Sequence, residues 1–323
     1  LLSLVGSEMC IRDSPYIIPV IDRFRPFFDQ HNITLIVADV EERLNEDELL
    51  AYQGQYDGTI CGDDLYSAQV LEANTPRLQV ISKWGTGIDS INQEAADRLG
   101  IQVCNTPDAF TRPVADTVLA YMLAFVRQLP WMDRAMKSGD WQKIPGRSLS
   151  ECTLGVVGVG NIGKAVIRRA SAFEMKLHGN DIIEIDPGFL KQFQVEMTGL
   201  GELLGRADFV SLNCDLNPTS RHLINAQTLA MMQPSAVLIN AARGPVVDEQ
   251  ALIRALQAGT IAGAALDVFE QEPLPKNSPL LGMDNVMLAP HNANSSPAAW
   301  THVHRNTVLN LLKGLGIETN LEI

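Results

Sequence analysis

Cysteine is scarce in this chain and shows no pairing pattern. Cys10, Cys61, Cys104, Cys152 and Cys214 lie scattered through 323 residues, with no Cys-x-x-Cys and no histidine cluster beside them. That excludes the disulfide framework of a small secreted domain and argues against a zinc centre. No metal is expected, and the thiols read as reduced ones in a cytoplasmic protein. An excess of positive charge is missing too. Against 38 Asp and Glu stand only 25 Lys and Arg, a net charge of -13, so the cations needed to neutralise phosphates are lacking and a nucleic-acid partner is excluded. Long apolar runs are absent: the longest central one, 118–126, is too short to cross a bilayer and follows Asp116. Nothing resembles a secretory signal or membrane anchor, and no repeat or low-complexity tract is visible. What remains is the composition of an ordinary globular protein, 46% hydrophobic and 20% charged, long enough for two domains with substantial cores.

Residues 1–14 resemble the translation of a transposon-type sequencing adapter and are set aside from fold reasoning. On that reading the native start is missing. From Pro15 onward short apolar runs alternate with amphipathic stretches. Residues 34–38, 58–61 and 78–82 read as strands, and 45–52 as a helix with acids in its first turn. This alternation marks a mostly parallel sheet covered by helices. A long helix opens at Thr111-Arg-Pro113 and is apolar over much of its circumference, so it is buried inside the chain or against a partner subunit. Trp131 and Trp141 mark an irregular connection. A second strand-helix series runs from Thr153 to about Pro290, and 300–312 form a last helix stopped near Gly314.

Gly158, Gly160 and Gly163 stand in Gly-x-Gly-x-x-Gly spacing. The pattern alone is common, but here it follows an apolar strand at 154–157 and opens an amphipathic helix. In that setting Gly158 permits a tight turn, Gly160 lets backbone approach a pyrophosphate, and Gly163 allows close helix-strand packing. Free N–H groups at the helix start then face the phosphates. Asp181, at the end of the next strand, suits the adenosine ribose hydroxyls and repels a 2'-phosphate, which favours NAD over NADP. Asp186 competes for that role.

Three polar residues end apolar strands further on: Arg243, Asp267 and His291, with Glu270 and Glu272 on the loop before Pro273. A guanidinium at a strand's carboxyl end suits a substrate carboxylate in two-point contact. A histidine held by a carboxylate suits proton transfer between alcohol and ketone.

These segments are Gly-x-Gly-x-x-Gly at 158–163, Asn-Ala-Ala-Arg-Gly-Pro-Val-Val-Asp at 240–248, Asp-Val-Phe-Glu-Gln-Glu-Pro at 267–273 and Pro-His at 290–291. With Lys-Trp-Gly-Thr-Gly-Ile-Asp-Ser-Ile at 83–91 and Asn-Thr-Pro at 105–107, they resemble the D-isomer-specific 2-hydroxyacid dehydrogenase family, most closely its phosphoglycerate dehydrogenase branch. The resemblance implies an α/β fold of two Rossmann-like or flavodoxin-like domains with parallel sheets. An NAD-binding domain at 109–291 is inserted into a discontinuous substrate domain of 15–108 and 292–323, with the cleft between them. It implies Arg243, Glu272 and His291 as the catalytic triad, Glu272 being chosen because it precedes Pro273. It assigns the substrate carboxylate to backbone at Thr86 and Gly87. Cofactor contacts fall to Asn161, Ile162, Asp181, Cys214, Ala241 and Asp267, with Thr106 on the nicotinamide side, and the helix from Val114 serves a homodimer.

The implied reaction is NAD-dependent hydride exchange with a small (R)-2-hydroxy acid. Phosphoglycerate leads as substrate, with glyoxylate or hydroxypyruvate reduction next. A low-turnover NAD(H)-sensing protein is the reading from another class, disfavoured by the intact triad. Formate dehydrogenase is weaker still, because its histidine pairs with Gln. Two departures bear on the site. Glu174 stands where relatives commonly have Gly, and Trp84 replaces a smaller residue and either narrows the pocket or packs against the hinge. Lys83 lies where a basic residue meets a phosphate or second carboxylate, or is simply solvated.

Overall fold

The computed structural model describes residues 8–11, 17–38 and 43–317. The chain divides into two units, one of Leu1–Phe110 with Ser296–Ile323 and one of Thr111–Ser295.

The first unit is built on a fully parallel sheet of β1 (Glu8–Ile11), β2 (Thr34–Val37), β3 (Gly58–Cys61), β4 (Val80–Lys83) and β5 (Gln102–Cys104), in the order β2-β1-β3-β4-β5. This is the flavodoxin-like doubly wound order. Every residue of β3 and β4 is buried, as both faces of such a sheet are covered. The segment set aside as adapter-like contributes β1, which lies between β2 and β3. No strand was expected there because the likeness to an adapter took residues 1–14 out of the fold reasoning. The rest of that segment lies outside the described residues, as do the last residues of the substrate domain proposed from sequence.

The helix expected at 45–52 is shorter, Glu46–Leu50, with turns after it. Its start is a capping box: the Glu48 N–H donates to Asn45 Oδ1 and the Asn45 N–H to Glu48 Oε2. The last helix is longer than expected, Pro297–Gly314, because Ser296 caps it through the Ala299 N–H and Pro297 suits its first turn.

The second unit carries seven parallel strands: β6 (Thr153–Val157), β7 (Lys176–Asn180), β8 (Val195–Met197), β9 (Phe209–Leu212), β10 (Val237–Asn240), β11 (Gly263–Leu266) and β12 (Val286–Leu288). Their order is β12-β11-β10-β9-β6-β7-β8. The direction of winding reverses between β6 and β9, the switch point at which such sheets bind ligands. The helix Thr111–Val126 packs on the helix Asn161–Ala172 and is pinned to it by Arg169 Nε on Asp116 Oδ1 at 2.6 Å. Val118, Met122 and Phe125 are among its residues buried within this unit's own core.

Trp131 does not lie in an irregular connection. It sits on a helix, Leu129–Lys137, which starts after Gln128 takes a left-handed turn (φ 56°). Pro130 suits that helix start, and the Trp131 ring packs 5.1 Å from Phe125 while its Nε1 donates to Asp284 O. Trp141, beyond the helix, is 81% exposed. No helix among the described residues is long and apolar enough to cross a membrane.

Candidate active site

In the second unit the residues singled out from sequence all follow the carboxyl ends of strands. The glycine loop follows β6, Asp181 follows β7, Cys214 β9, Ala241 β10, Asp267 β11 and His291 β12. Parallel strands deliver all these ends to one edge of the sheet.

The loop has close contacts where the sequence has Gly. A Cβ on Gly158, at φ 88°, would lie 2.6 Å from Cys214 N, and one on Gly163 would lie 2.0 Å from Gly158 O. Gly160 differs: a Cβ there would meet nothing within 4 Å, so the backbone faces open space. Gly160 caps the helix without a side-chain hydrogen bond, so the N–H groups of the first turn, at exposed Asn161, half-buried Ile162 and Gly163, have no side-chain cap. An uncapped helix start facing free space fits a pyrophosphate.

Asp181 receives the Val159 N–H at 2.6 Å on Oδ2 and the Ile183 N–H at 3.1 Å on Oδ1. A carboxylate keeps further lone pairs, so hydroxyl groups still find acceptors there. Its rival Asp186 is engaged otherwise, capping the helix Pro187–Phe193 through the Phe189 N–H. Cys214 lies against the glycine turn, its thiol pushed up to about 11 by burial, and Ala241 is half-buried just past β10.

His291 is held from both ends. Its Nδ1 lies 3.0 Å from Glu272 Oε2, with both side chains largely buried, at 22% and 16% exposure. A carboxylate only accepts, so Nδ1 carries the hydrogen and the neutral ring's lone pair sits on Nε2. The other Glu272 oxygen accepts the Phe269 N–H at 2.9 Å, which fixes the carboxylate. Behind the ring, Asp267 organises the backbone. Its carboxylate accepts the N–H groups of Asn292 and Ala293, both at 2.9 Å, and its carbonyl accepts the His291 N–H at 2.7 Å. These bonds hold His291 in a left-handed conformation, φ 49°, that a non-glycine residue rarely takes. Burial raises the Asp267 carboxyl above its ordinary range, while the two N–H groups and the nearby His291 ring pull it back.

Glu270 faces elsewhere, pairing with His222 Nε2 at 2.7 Å. The sequence reading missed His222, and nothing in its surroundings marks it. Asn240 was missed as well, though a polar residue ending an apolar strand was a signal. Its buried side chain accepts the Ala242 N–H and donates to Arg243 O, clamping the turn that carries Arg243. The Arg243 turn rests directly on the neighbouring loop: a Cβ on Gly244 would lie 1.8 Å from Phe269 O. Arg243, Glu272 and His291 thus hang from β10, β11 and β12, which are neighbours in the sheet.

The remaining candidates belong to the first unit. Thr86 is exposed and Gly87 half-buried beyond β4. The Thr106 N–H donates to Gly85 O, Thr86 Oγ1 donates to Thr106 O, and Asn105 Nδ2 donates to Thr86 O, so the two strand ends are tied together. Thr106 Oγ1 is buried with no hydrogen-bond partner among the described residues. Lys83 is neither solvated nor open to the surface. Its Nζ donates to Gly62 O and, at 2.6 Å, to Asp63 Oδ1. Trp84 packs against Phe110, Trp300 and His304, with ring centroids 5.5, 6.4 and 5.7 Å away. Among the described residues no cluster of His, Cys, Asp and Glu could hold a metal ion.

Known proteins match this arrangement. Residues 119–293 match the family model described as D-isomer specific 2-hydroxyacid dehydrogenase, NAD binding domain. A glyoxylate reductase of Korarchaeum cryptofilum is 41% identical over 239 residues, 72% of this chain and 71% of the relative. A D-3-phosphoglycerate dehydrogenase of Methanocaldococcus jannaschii is 39% identical over 265 residues, 81% of this chain but 50% of that longer protein. The crystal structure of D-lactate dehydrogenase from Aquifex aeolicus, complexed with NAD and lactic acid, superposes with a TM-score of 0.84 at 26% identity, covering 95% of each chain. A family model spanning most of the second unit and relatives spanning both units agree, and the chain belongs to the D-isomer specific 2-hydroxyacid dehydrogenases, enzymes that work with NAD.

Proposed function

We propose that this chain oxidises a small (R)-2-hydroxy acid to its 2-keto acid, and runs the reverse reduction, with Arg243, Glu272 and His291 as its working groups. The contact that carries the reading is His291 Nδ1 on Glu272 Oε2, 3.0 Å, with the second Glu272 oxygen tied to backbone. That arrangement leaves Nε2 as the proton acceptor. In the oxidising direction it takes the substrate's hydroxyl proton, and in reduction it returns that proton to the oxygen. Glu272 stabilises the imidazolium formed between those events. Arg243 holds the substrate carboxylate and polarises the carbonyl oxygen; the sequence resemblance assigns backbone at Thr86 and Gly87 to substrate binding as well. Asp267 fixes the turn from which the ring projects.

NAD would be held by Gly158, Gly160, Asn161, Ile162, Gly163 and Asp181, with Cys214, Ala241, Asp267 and Thr106 completing the contacts. When bound it supplies the two-electron chemistry, taking a hydride from C2 or giving one back. Two substrate classes stand within this reading: 3-phosphoglycerate, which the sequence resemblance favours, and small unphosphorylated acids such as glyoxylate or hydroxypyruvate. The relatives' names include both. The test is His291→Ala, for which turnover of 2-hydroxy acids should fall about 10²–10⁴-fold while NADH still binds by fluorescence titration. Unchanged turnover removes His291 from the mechanism. Tight NADH binding by the unaltered chain with no turnover on any 2-hydroxy acid favours the sensing reading.

We also propose a homodimer through the helix Thr111–Val126 and the segment after it, where Leu129, Met136 and Trp141 expose apolar surface. Among the described residues the thiols of Cys104, Cys152 and Cys214 form no disulfide, which suits a reducing cytoplasm.

A further inference from the structure

We infer that Asp63 sets the substrate class: by holding the Lys83 ammonium inside the wall beside the substrate loop, it selects 2-hydroxy acids whose only anionic group is the carboxylate. The inference rests on the dehydrogenase reading above and on geometry within the first unit alone.

Lys83 is the last residue of β4 and immediately precedes the loop of Trp84, Gly85, Thr86 and Gly87. A substrate whose carboxylate binds at Thr86 and Gly87 and which bears a phosphate would need a cation nearby, and Lys83 is the basic residue that the sequence offers there. The structure commits it elsewhere. Cys61 and Lys83 are register partners on β3 and β4, so Gly62 and Asp63 emerge from β3 beside the Lys83 side chain. Both accept from its Nζ. The Lys83 side chain is 3% exposed, whereas that of Asp63 is 40% exposed.

Two consequences follow from this asymmetry. A buried ammonium is stable only while paired, so Lys83 cannot swing to the surface without leaving a carboxylate behind. The group beside the substrate loop is therefore a Lys83–Asp63 pair with no uncommitted ammonium, and its exposed member is the carboxylate. A phosphate would have to displace it and would suffer like-charge repulsion on approach, while a substrate carrying no second anion loses nothing. Trp84, buried against Phe110, Trp300 and His304, adds no cation of its own to the same stretch.

D-glycerate and D-3-phosphoglycerate differ only in the phosphate and form the test pair, with their keto acids for the reverse direction. The unaltered chain should show kcat/KM for glycerate about tenfold or more above that for phosphoglycerate. Asp63→Asn frees the ammonium and should shift that ratio toward phosphoglycerate by about tenfold or more, through a lower KM, with kcat for glycerate held within about threefold. High salt should erase the gain. A readout independent of turnover is thermal unfolding with NAD present to fill the glycine loop: inorganic phosphate should raise the Tm of the Asp63→Asn chain by more than that of the unaltered chain. If Asp63 only braces the strand ends, both substrates change by the same factor and phosphate shifts both Tm values equally, which overturns the inference. A preference of the unaltered chain for phosphoglycerate overturns it too, whether or not the variant folds. Absence of turnover on either acid and either keto acid would remove the dehydrogenase reading itself, whereas turnover with the wrong preference removes only the role of Asp63.

Discussion

At Glu174 the backbone turns left-handed, φ 60°, just before β7, and the side chain is exposed. A Cβ in that region costs about 1–2 kcal/mol, which glycine avoids, although glycine gives part of it back through a freer unfolded chain. Glu174→Gly should therefore stabilise the protein by about 0.5–1 kcal/mol, read as a higher midpoint in urea unfolding with the slope unchanged. A lower midpoint would mean that the carboxylate contributes something its exposure does not suggest. The sequence already marked Glu174 as standing where relatives have Gly, and the left-handed turn is the physical reason for that preference. Other residues were less legible. Asp181 and Asp186 could not be told apart by spacing, because what separates them is a helix cap formed by one of them. Lys83 was read as a cation for a phosphate or second carboxylate, or as solvated, because its partner Asp63 lies just past the end of another strand, and pairings between neighbouring strand ends leave no local trace.

Among elements, the strands with continuous apolar residues were readable because burial on both faces leaves no other composition open to them. The residues at their ends gathered into one site because parallel strands present their carboxyl ends together. β1 was not read because residues 1–14 resemble an adapter sequence and stood outside the fold reasoning, and the helix Leu129–Lys137 was not read because its residues are all at least partly exposed. That helix and the stretch after it carry the expectation about assembly. Trp141 at 81% exposure is a large apolar side chain with no cover from its own chain, and covering it is what the proposed second copy would do. Trp141→Glu should convert a dimer into a monomer in sedimentation velocity, with the far-UV circular dichroism unchanged. A monomer before the substitution, or a dimer after it, sinks this assembly.

At the scale of the whole molecule, buried thiols tie stability to alkaline pH. Burial is the first cause that pushes the Cys152 thiol up to about 11 from an ordinary 9, and Cys214 is shifted in the same way. Between about pH 9 and pH 11 the folded chain therefore holds protons that the unfolded chain has released. The stability associated with them is intact below pH 9 and is lost as the pH rises toward 11. Melting temperatures should drop over that interval, and Cys152→Ala should lessen the drop while leaving a difference from Cys214. An equal drop with and without Cys152 would mean that its thiolate is tolerated in the fold.

Gly244 has no functional group, yet the backbone of Phe269 occupies the space where any side chain would begin. The loops bearing Arg243 and Glu272 keep their spacing only because that position is bare. A saturation scan of this chain would accordingly find intolerance as absolute at Gly244 as at the residues that touch the substrate, and conservation there would record room rather than reactivity.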